Sequence, residues 1–290
     1  MRPQPYQPSR SIGARLQRRL TQHRHAARVH IASDRPVVTF SFDDFPRSAL
    51  NGADELERLG ARGCFYASTG FAGQKRSSLG EMYAPSDLVD LQQRGHEIGA
   101  HTHAHIDCAR MDAEKVHTDI AECLMQLESM GLSDDIASFA WPYGETTRAL
   151  KRWAADHFVT ARGVLPGVNT GRTDRAQLHA VELGDTRAHR NRARAAIKSC
   201  VQSNGWLIFF THDVSASPTP FGVTPRHIRD LADEALELGA VIETPIDAAR
   251  RTGVSEPRRD WAWSSPAPET SIEQPIEQAL QPQPEAPAQA

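Results

Sequence analysis

The sequence predicts an α/β protein with a largely parallel sheet, close to a (β/α) barrel in its strand count and forming one domain over residues 36–252. Through that stretch, short β-rich runs alternate with helical patterns, the signature of repeated strand–helix units. The run at 206–211, Trp-Leu-Ile-Phe-Phe-Thr, is apolar almost throughout, as in a strand buried on both faces of a parallel sheet. The 290 residues are 39% hydrophobic and 24% charged, which suits one sizeable core and argues against a disordered or fibrous chain.

Seven strands are expected, at 37–42, 63–67, 97–100, 138–141, 158–161, 206–211 and 240–243. Between them, residues 113–130 place Val116, Ile120, Cys123, Leu124 and Leu127 on one helical stripe, and Leu231, Ala235 and Leu238 repeat the pattern behind Thr224 as N-cap and Pro225 as first residue. Gly131 and Gly239 stand where those helices should stop. Both ends differ in composition. Residues 1–35 carry eight arginines, three histidines and a single acid, Asp34, and read as a basic N-terminal arm with at most a short amphipathic helix around Ile12, Leu16 and Leu20. Residues 253–290 read as a proline-rich disordered tail, with seven prolines from residue 256 onward.

Lys plus Arg number 33 against 36 Asp plus Glu, a net charge of −3, so nucleic acid and anionic membrane are not expected partners. Nor is stable membrane insertion, because no apolar run approaches the roughly 20 residues a spanning helix needs. Without an apolar N-terminal segment of signal-peptide length the expected compartment is the cytoplasm. The scattered Cys64, Cys108, Cys123 and Cys200 fit reduced core thiols better than a disulfide framework.

Chemistry is expected at the C-terminal ends of the strands. The first ends in Asp43-Asp44, adjacent carboxylates that repel in a buried site unless a cation or proton intervenes; a simple turn cap explains one of them and leaves the other without a partner. The third ends in His101-Thr102-His103-Ala104-His105. Histidines four apart meet on one face if this segment coils, and neutral imidazoles suit zinc, cobalt or nickel; His103 would point away. Asp44, His101 and His105 make a three-ligand set of the catalytic kind. Pro142 and Gly144 mark a sharp turn, and His212 follows the apolar sixth strand, placed to act as acid or base.

Taken together, Ser41-Phe42-Asp43-Asp44-Phe45, His101-Thr102-His103-Ala104-His105, Ala140-Trp141-Pro142-Tyr143-Gly144 and Phe209-Phe210-Thr211-His212 resemble the motifs of the polysaccharide deacetylase family, also called the NodB homology domain or carbohydrate esterase family four. The resemblance implies an irregular seven-stranded (β/α) barrel flanked by flexible tails. It implies a metal-dependent hydrolase that removes N-acetyl groups from an amino sugar or an oligo- or polysaccharide, a carbon–nitrogen bond other than a peptide bond. Asp44, His101 and His105 would hold a divalent metal, commonly zinc, with Asp43 as general base, the backbone N–H of Tyr143 at the oxyanion, His212 as general acid and Thr102 orienting the histidine loop. Two further readings stay open: an amidohydrolase for a non-sugar amide or a formylated sugar, and an inactive metal-retaining glycan binder, against which the presence of both Asp43 and His212 speaks.

The family pattern is departed from at three places. Phe45 replaces a glycine, and its bulk is expected to narrow the cleft or shift the first loop. Ala140 replaces the arginine that pairs with the base, and Arg162, from the neighbouring strand, is expected to supply that charge. The acid that pairs with the catalytic histidine has no clear counterpart; Asp185 is the candidate.

Overall fold

A computed structural model describes residues 11–76, 78–132 and 136–254; the expected proline-rich tail lies outside them from residue 255 onward. Residues 11–35, expected as part of a basic arm, hold helix α1 (Ile12–His23) and strand β1 (Arg28–Ile31). The chain then runs through β2 (Val37–Asp43), α2 (Leu50–Glu57), β3 (Cys64–Ala67), β4 (Lys75–Arg76), β5 (Gly80–Glu81), α3 (Pro85–Gln93), β6 (Glu97–Ala100) and α4 (Ala113–Ser129). It continues with β7 (Ser138–Ala140), α5 (Arg148–His157), β8 (Thr160–Arg162), β9 (Gly171–Asp174), β10 (Val181–Glu182) and α6 (Arg187–Ser203). The last elements are β11 (Trp206–Thr211), α7 (Pro225–Glu237), β12 (Val241–Ile242) and α8 (Pro245–Arg251).

The central sheet follows the order β10-β11-β2-β3-β6-β7-β8, with β12 joined to β2, and all its pairings are parallel. An isolated bridge between Arg162 and Leu178 extends the curl beyond β8, giving an irregular (β/α) half-barrel. All seven expected strands are present. The eighth, β10, is two residues long and too short to leave a periodic signal in the sequence.

Strand β2 is the axis of the sheet. Every residue of it is buried, and β11 runs beside it in register from Trp206 opposite Val37 to Thr211 opposite Phe42. Its polar side chains find partners inside the barrel: Trp206 Nε1 donates to Thr39 Oγ1 at 2.9 Å, and Ser41 Oγ donates to the Phe209 carbonyl at 2.8 Å. The flanking helices start cleanly because Thr147, Thr186, Thr224 and Thr244 each accept a first-turn backbone N–H. Helix α4 buries Val116, Ile120, Cys123 and Leu127, and Gly131 follows it at φ 97°, a conformation that favours glycine.

The N-terminal elements are fastened by charge. β1 pairs antiparallel with β9, and the Asp174 carboxylate accepts from the N–H groups of Ala26 and Ala27 at 2.9 and 3.0 Å. The buried Lys151 Nζ meets the same carboxylate at 2.8 Å and donates to the Thr21 carbonyl. The parallel strands β2, β6, β7 and β11 therefore present their C-terminal ends on one side, where the chemistry-bearing residues leave the sheet.

Candidate active site

The loops after β2, β6 and β7 bend in an unusual way. Asp44, Phe45, Thr102, His105 and Tyr143 all take positive φ, between 52° and 62°. Among the described residues one further non-glycine residue of this kind, Asn204, caps α6. Left-handed backbone at such residues costs on the order of 1 to 3 kcal/mol each and persists only where the surroundings over-determine it. Here it turns side chains back across the mouth of the sheet.

Asp44, His101 and His105 converge there, with their ligand atoms all within 4.8 Å of one another. The Nε2 atoms of His101 and His105 lie 3.5 and 3.1 Å from Asp44 Oδ1. His101 Nδ1 donates to the Ala140 carbonyl at 2.7 Å, which fixes the tautomer and leaves Nε2 with a lone pair. That lone pair and a carboxylate oxygen then face each other as two acceptors. Asp44 Oδ1 is buried and has no hydrogen-bond partner among the described residues. Burial, and secondarily the neighbouring His105, pushes His101 down to about 3; burial, followed by His212 and Arg76, pushes His105 down to about 3. Both rings are therefore neutral near pH 7, so these short contacts are not ion pairs. Two neutral nitrogens and one carboxylate aimed at a common point fit a divalent cation.

The loop after β6 is held from outside as well. His105 Nδ1 lies 3.0 Å from the Tyr143 hydroxyl, Thr102 Oγ1 accepts from the Ile106 N–H at 3.3 Å, and the Asp119 carboxylate accepts from the N–H groups of His103 and Ala104. His103 turns away from Asp44 and pairs with Thr69 Oγ1 at 2.8 Å. The sequence points to Tyr143 for its N–H alone; the contact of its phenol with His105 leaves no local signal.

Asp43 closes β2 and is buried. Its carboxylate receives a hydrogen bond from Arg162 Nη2. Arg162 stands opposite Ala140 in the β7–β8 register, so the charge missing from Ala140 is supplied one strand away in the same layer. The guanidinium is itself buried, between the rings of Tyr66 and Phe210 at 4.7 and 5.1 Å. Burial lowers it to about 9, which still leaves it charged at neutral pH opposite Asp43. His212 leaves β11 with its N–H donating to the Phe221 carbonyl at 3.1 Å and its ring tilted against Phe221.

Two expectations are corrected. Asp185 does not orient His212: it pairs with Arg190 and lies 3.8 Å from His227 Nδ1, because Arg190 on α6 captures the acid just before that helix. The buried His212 Nδ1 has no hydrogen-bond partner among the described residues. Phe45 does not narrow the cleft. It is fully buried, stacked on Tyr83 with centroids 4.9 Å apart and tilted against Phe65 at 5.0 Å, so its bulk goes into the core and offsets the strain of its own backbone.

Residues 30–161 match the model of the polysaccharide deacetylase family. Over that stretch the chain resembles this family. The matched stretch contains Asp43, Asp44, His101, His105 and Tyr143, whereas Arg162 and His212 lie beyond it. Over 175 residues the chain is 27% identical to a gellan lyase of Bacillus sp, covering 53% of the chain and spanning about 7% of the length of that relative. Among solved structures it is similar to the Xyl-CE4 domain of a multidomain xylanase from the hindgut metagenome of Trinervitermes trinervoides, with TM-score 0.55 and 14% identity over 77% of this chain and 94% of that one. It is also similar to a family 4 acetyl xylan esterase from Clostridium thermocellum, in complex with a cobalt ion, with TM-score 0.54 and 22% identity over 76% and 94%. At these identities the structural likeness is one of fold.

Proposed function

We propose that the protein is a metal-dependent hydrolase that removes an acetyl group from the nitrogen of an amino sugar, free or within an oligo- or polysaccharide. The observation that carries this reading is the pairing of two adjacent carboxylates with different partners: Asp44 faces two neutral imidazoles, and Asp43 faces a buried guanidinium. A general base and a metal ligand are thereby separated although they are neighbours in sequence.

In this reading Asp44, His101 and His105 hold the divalent cation, with zinc as our assignment and cobalt or nickel as substitutes that the same donors accept. When bound, such an ion supplies Lewis-acid polarisation of an amide carbonyl and makes water more acidic. Asp43, aimed by Arg162, takes a proton from the attacking water. The backbone N–H of Tyr143 donates toward the developing oxyanion. His212, on the loop after β11, gives a proton to the departing amine nitrogen, so acid and base come from different strands of the same sheet end. The carbon–nitrogen bond breaks and acetate and a free amine leave. Buried, unpaired Cys64, Cys108, Cys123 and Cys200 support a reducing setting, and we place the enzyme in the cytoplasm.

The reading is tested by mass spectrometry of products across a panel of acetylated mono- and oligosaccharides with added zinc or cobalt. Acetate together with a free-amine sugar is the expected outcome. Formate from a formylated sugar, or cleavage of small non-sugar amides with every acetylated glycan left intact, would overturn it.

A further inference from the structure

The hairpin of β4 and β5 carries a cation that the chemistry above does not use. Arg76 is half-buried, with its guanidinium carbon 3.7 Å from the centroid of the Phe71 ring. Phe71 lies 5.6 Å from the ring of His105, so the cation stands one aromatic ring away from a proposed metal ligand. The arginine next to it in the fold, Arg47, which follows the bridge between Pro46 and Met82, is neutralised by Asp87. Arg76 has no carboxylate partner among the described residues.

The segment that carries it is clamped to both loops that supply the metal ligands. Gly70 N–H donates to the His103 carbonyl at 2.9 Å, and Tyr83 N–H donates to the Phe45 carbonyl at 3.2 Å. Thr69 Oγ1 meets His103 Nδ1. A Cβ at position 70 would sit 2.8 Å from the His103 oxygen, so this close approach depends on glycine. Between the clamps, Met82 N–H donates to the Gln74 carbonyl at 2.9 Å and closes the hairpin. Arg76 is thus held at a set place beside His105. Stacking by its face leaves the edge donors of the guanidinium directed away from the ring, the arrangement that binds carboxylate or phosphate oxygens in pairs.

We infer that Arg76 is a specificity-determining residue that binds an anionic group, carboxylate or phosphate, carried by the substrate next to the acetylated amine. The inference rests on the deacetylase reading for the reacting end of the substrate and goes beyond it in naming the charge of the rest. A neutral sugar leaves the guanidinium without a counter-charge in a half-buried position. A charged one pairs with it at little cost in side-chain ordering, because the hairpin has already fixed the arginine.

The test is a binding measurement on the zinc-loaded Asp43→Asn protein, in which turnover is blocked. Calorimetric titration compares three ligands: a neutral N-acetylglucosamine disaccharide, an N-acetylated disaccharide bearing a carboxylate, and an N-acetylated sugar phosphate. The expected result is a preference of roughly tenfold or more for one of the charged ligands over the neutral one, shrinking as salt is raised. Arg76→Gln abolishes that preference. Arg76→Lys retains more of it for phosphate than for carboxylate, since an ammonium acts as a point charge and loses the paired geometry. Equal binding of charged and neutral ligands, or a preference that survives Arg76→Gln, would overturn the proposal. A charge preference with no acetate release by the wild type instead overturns the deacetylase reading and leaves the anion site standing, whereas acetate release without the preference does the reverse.

Discussion

Asp43→Asn is expected to lower kcat for acetate release by roughly 10²- to 10⁴-fold while leaving the bound metal in place. The amide has the shape of the carboxylate and keeps an acceptor for Arg162, so the fold around β2 and β8 is preserved and the lost property is basicity. Because the proposed ligand is the neighbouring Asp44, metal content and activity should separate in this variant. Steady-state kinetics and metal analysis on the same preparation check the point. A kcat close to that of the wild type would remove Asp43 from the role of base, and loss of the metal would show that the two carboxylates share the ligand's work.

Arg162→Ala should be damaging in a different way. It leaves Asp43 buried opposite an empty space, and removing one partner of a buried ion pair typically costs about 3 to 5 kcal/mol. Losing the facing cation also favours the protonated carboxyl. The expected kinetic signature is an acid limb of the pH–rate profile displaced to higher pH, with partial recovery in Arg162→Lys. Denaturant unfolding measures the first effect and the pH–rate profile the second. Wild-type activity with an unshifted profile in Arg162→Ala would contradict the pairing of this arginine with the base.

The two variants also separate what local sequence can encode from what it cannot. Asp43-Asp44 and the spacing of His101 and His105 are legible because each pair lies within one turn of chain at a strand end. Arg162 is legible from the gap at Ala140, since adjacent strands of a parallel sheet carry neighbouring residues in one layer, and the register places Ala140 opposite Arg162. Elsewhere the deciding contact is tertiary. Phe45 reads as cleft bulk only until Tyr83, from a distant segment, is seen to stack on it. Asp185 reads as a free acid until Arg190 on α6 claims it. Asp119, which ties down the histidine loop from the polar side of α4, is indistinguishable in sequence from any exposed helical acid. The anchoring of β1 through Asp174 and Lys151 likewise depends on three segments meeting, whereas composition alone reads the N-terminal stretch as a solvated arm.

The neutrality of His101 and His105 also follows from position and not from spacing. An exposed His-x-x-x-His segment would protonate near its ordinary value and bind metal only above it. Burial at the end of the barrel holds both rings deprotonated well below neutral pH, and the backbone carbonyl of Ala140 sets which nitrogen of His101 faces Asp44.

Metal content and acetate release measured together on the wild type, His101→Ala and His105→Ala test the central claim most directly. The account predicts one divalent ion per chain and acetate release from the wild type, and the loss of both in either variant. A stoichiometric ion retained in His101→Ala or His105→Ala would contradict it.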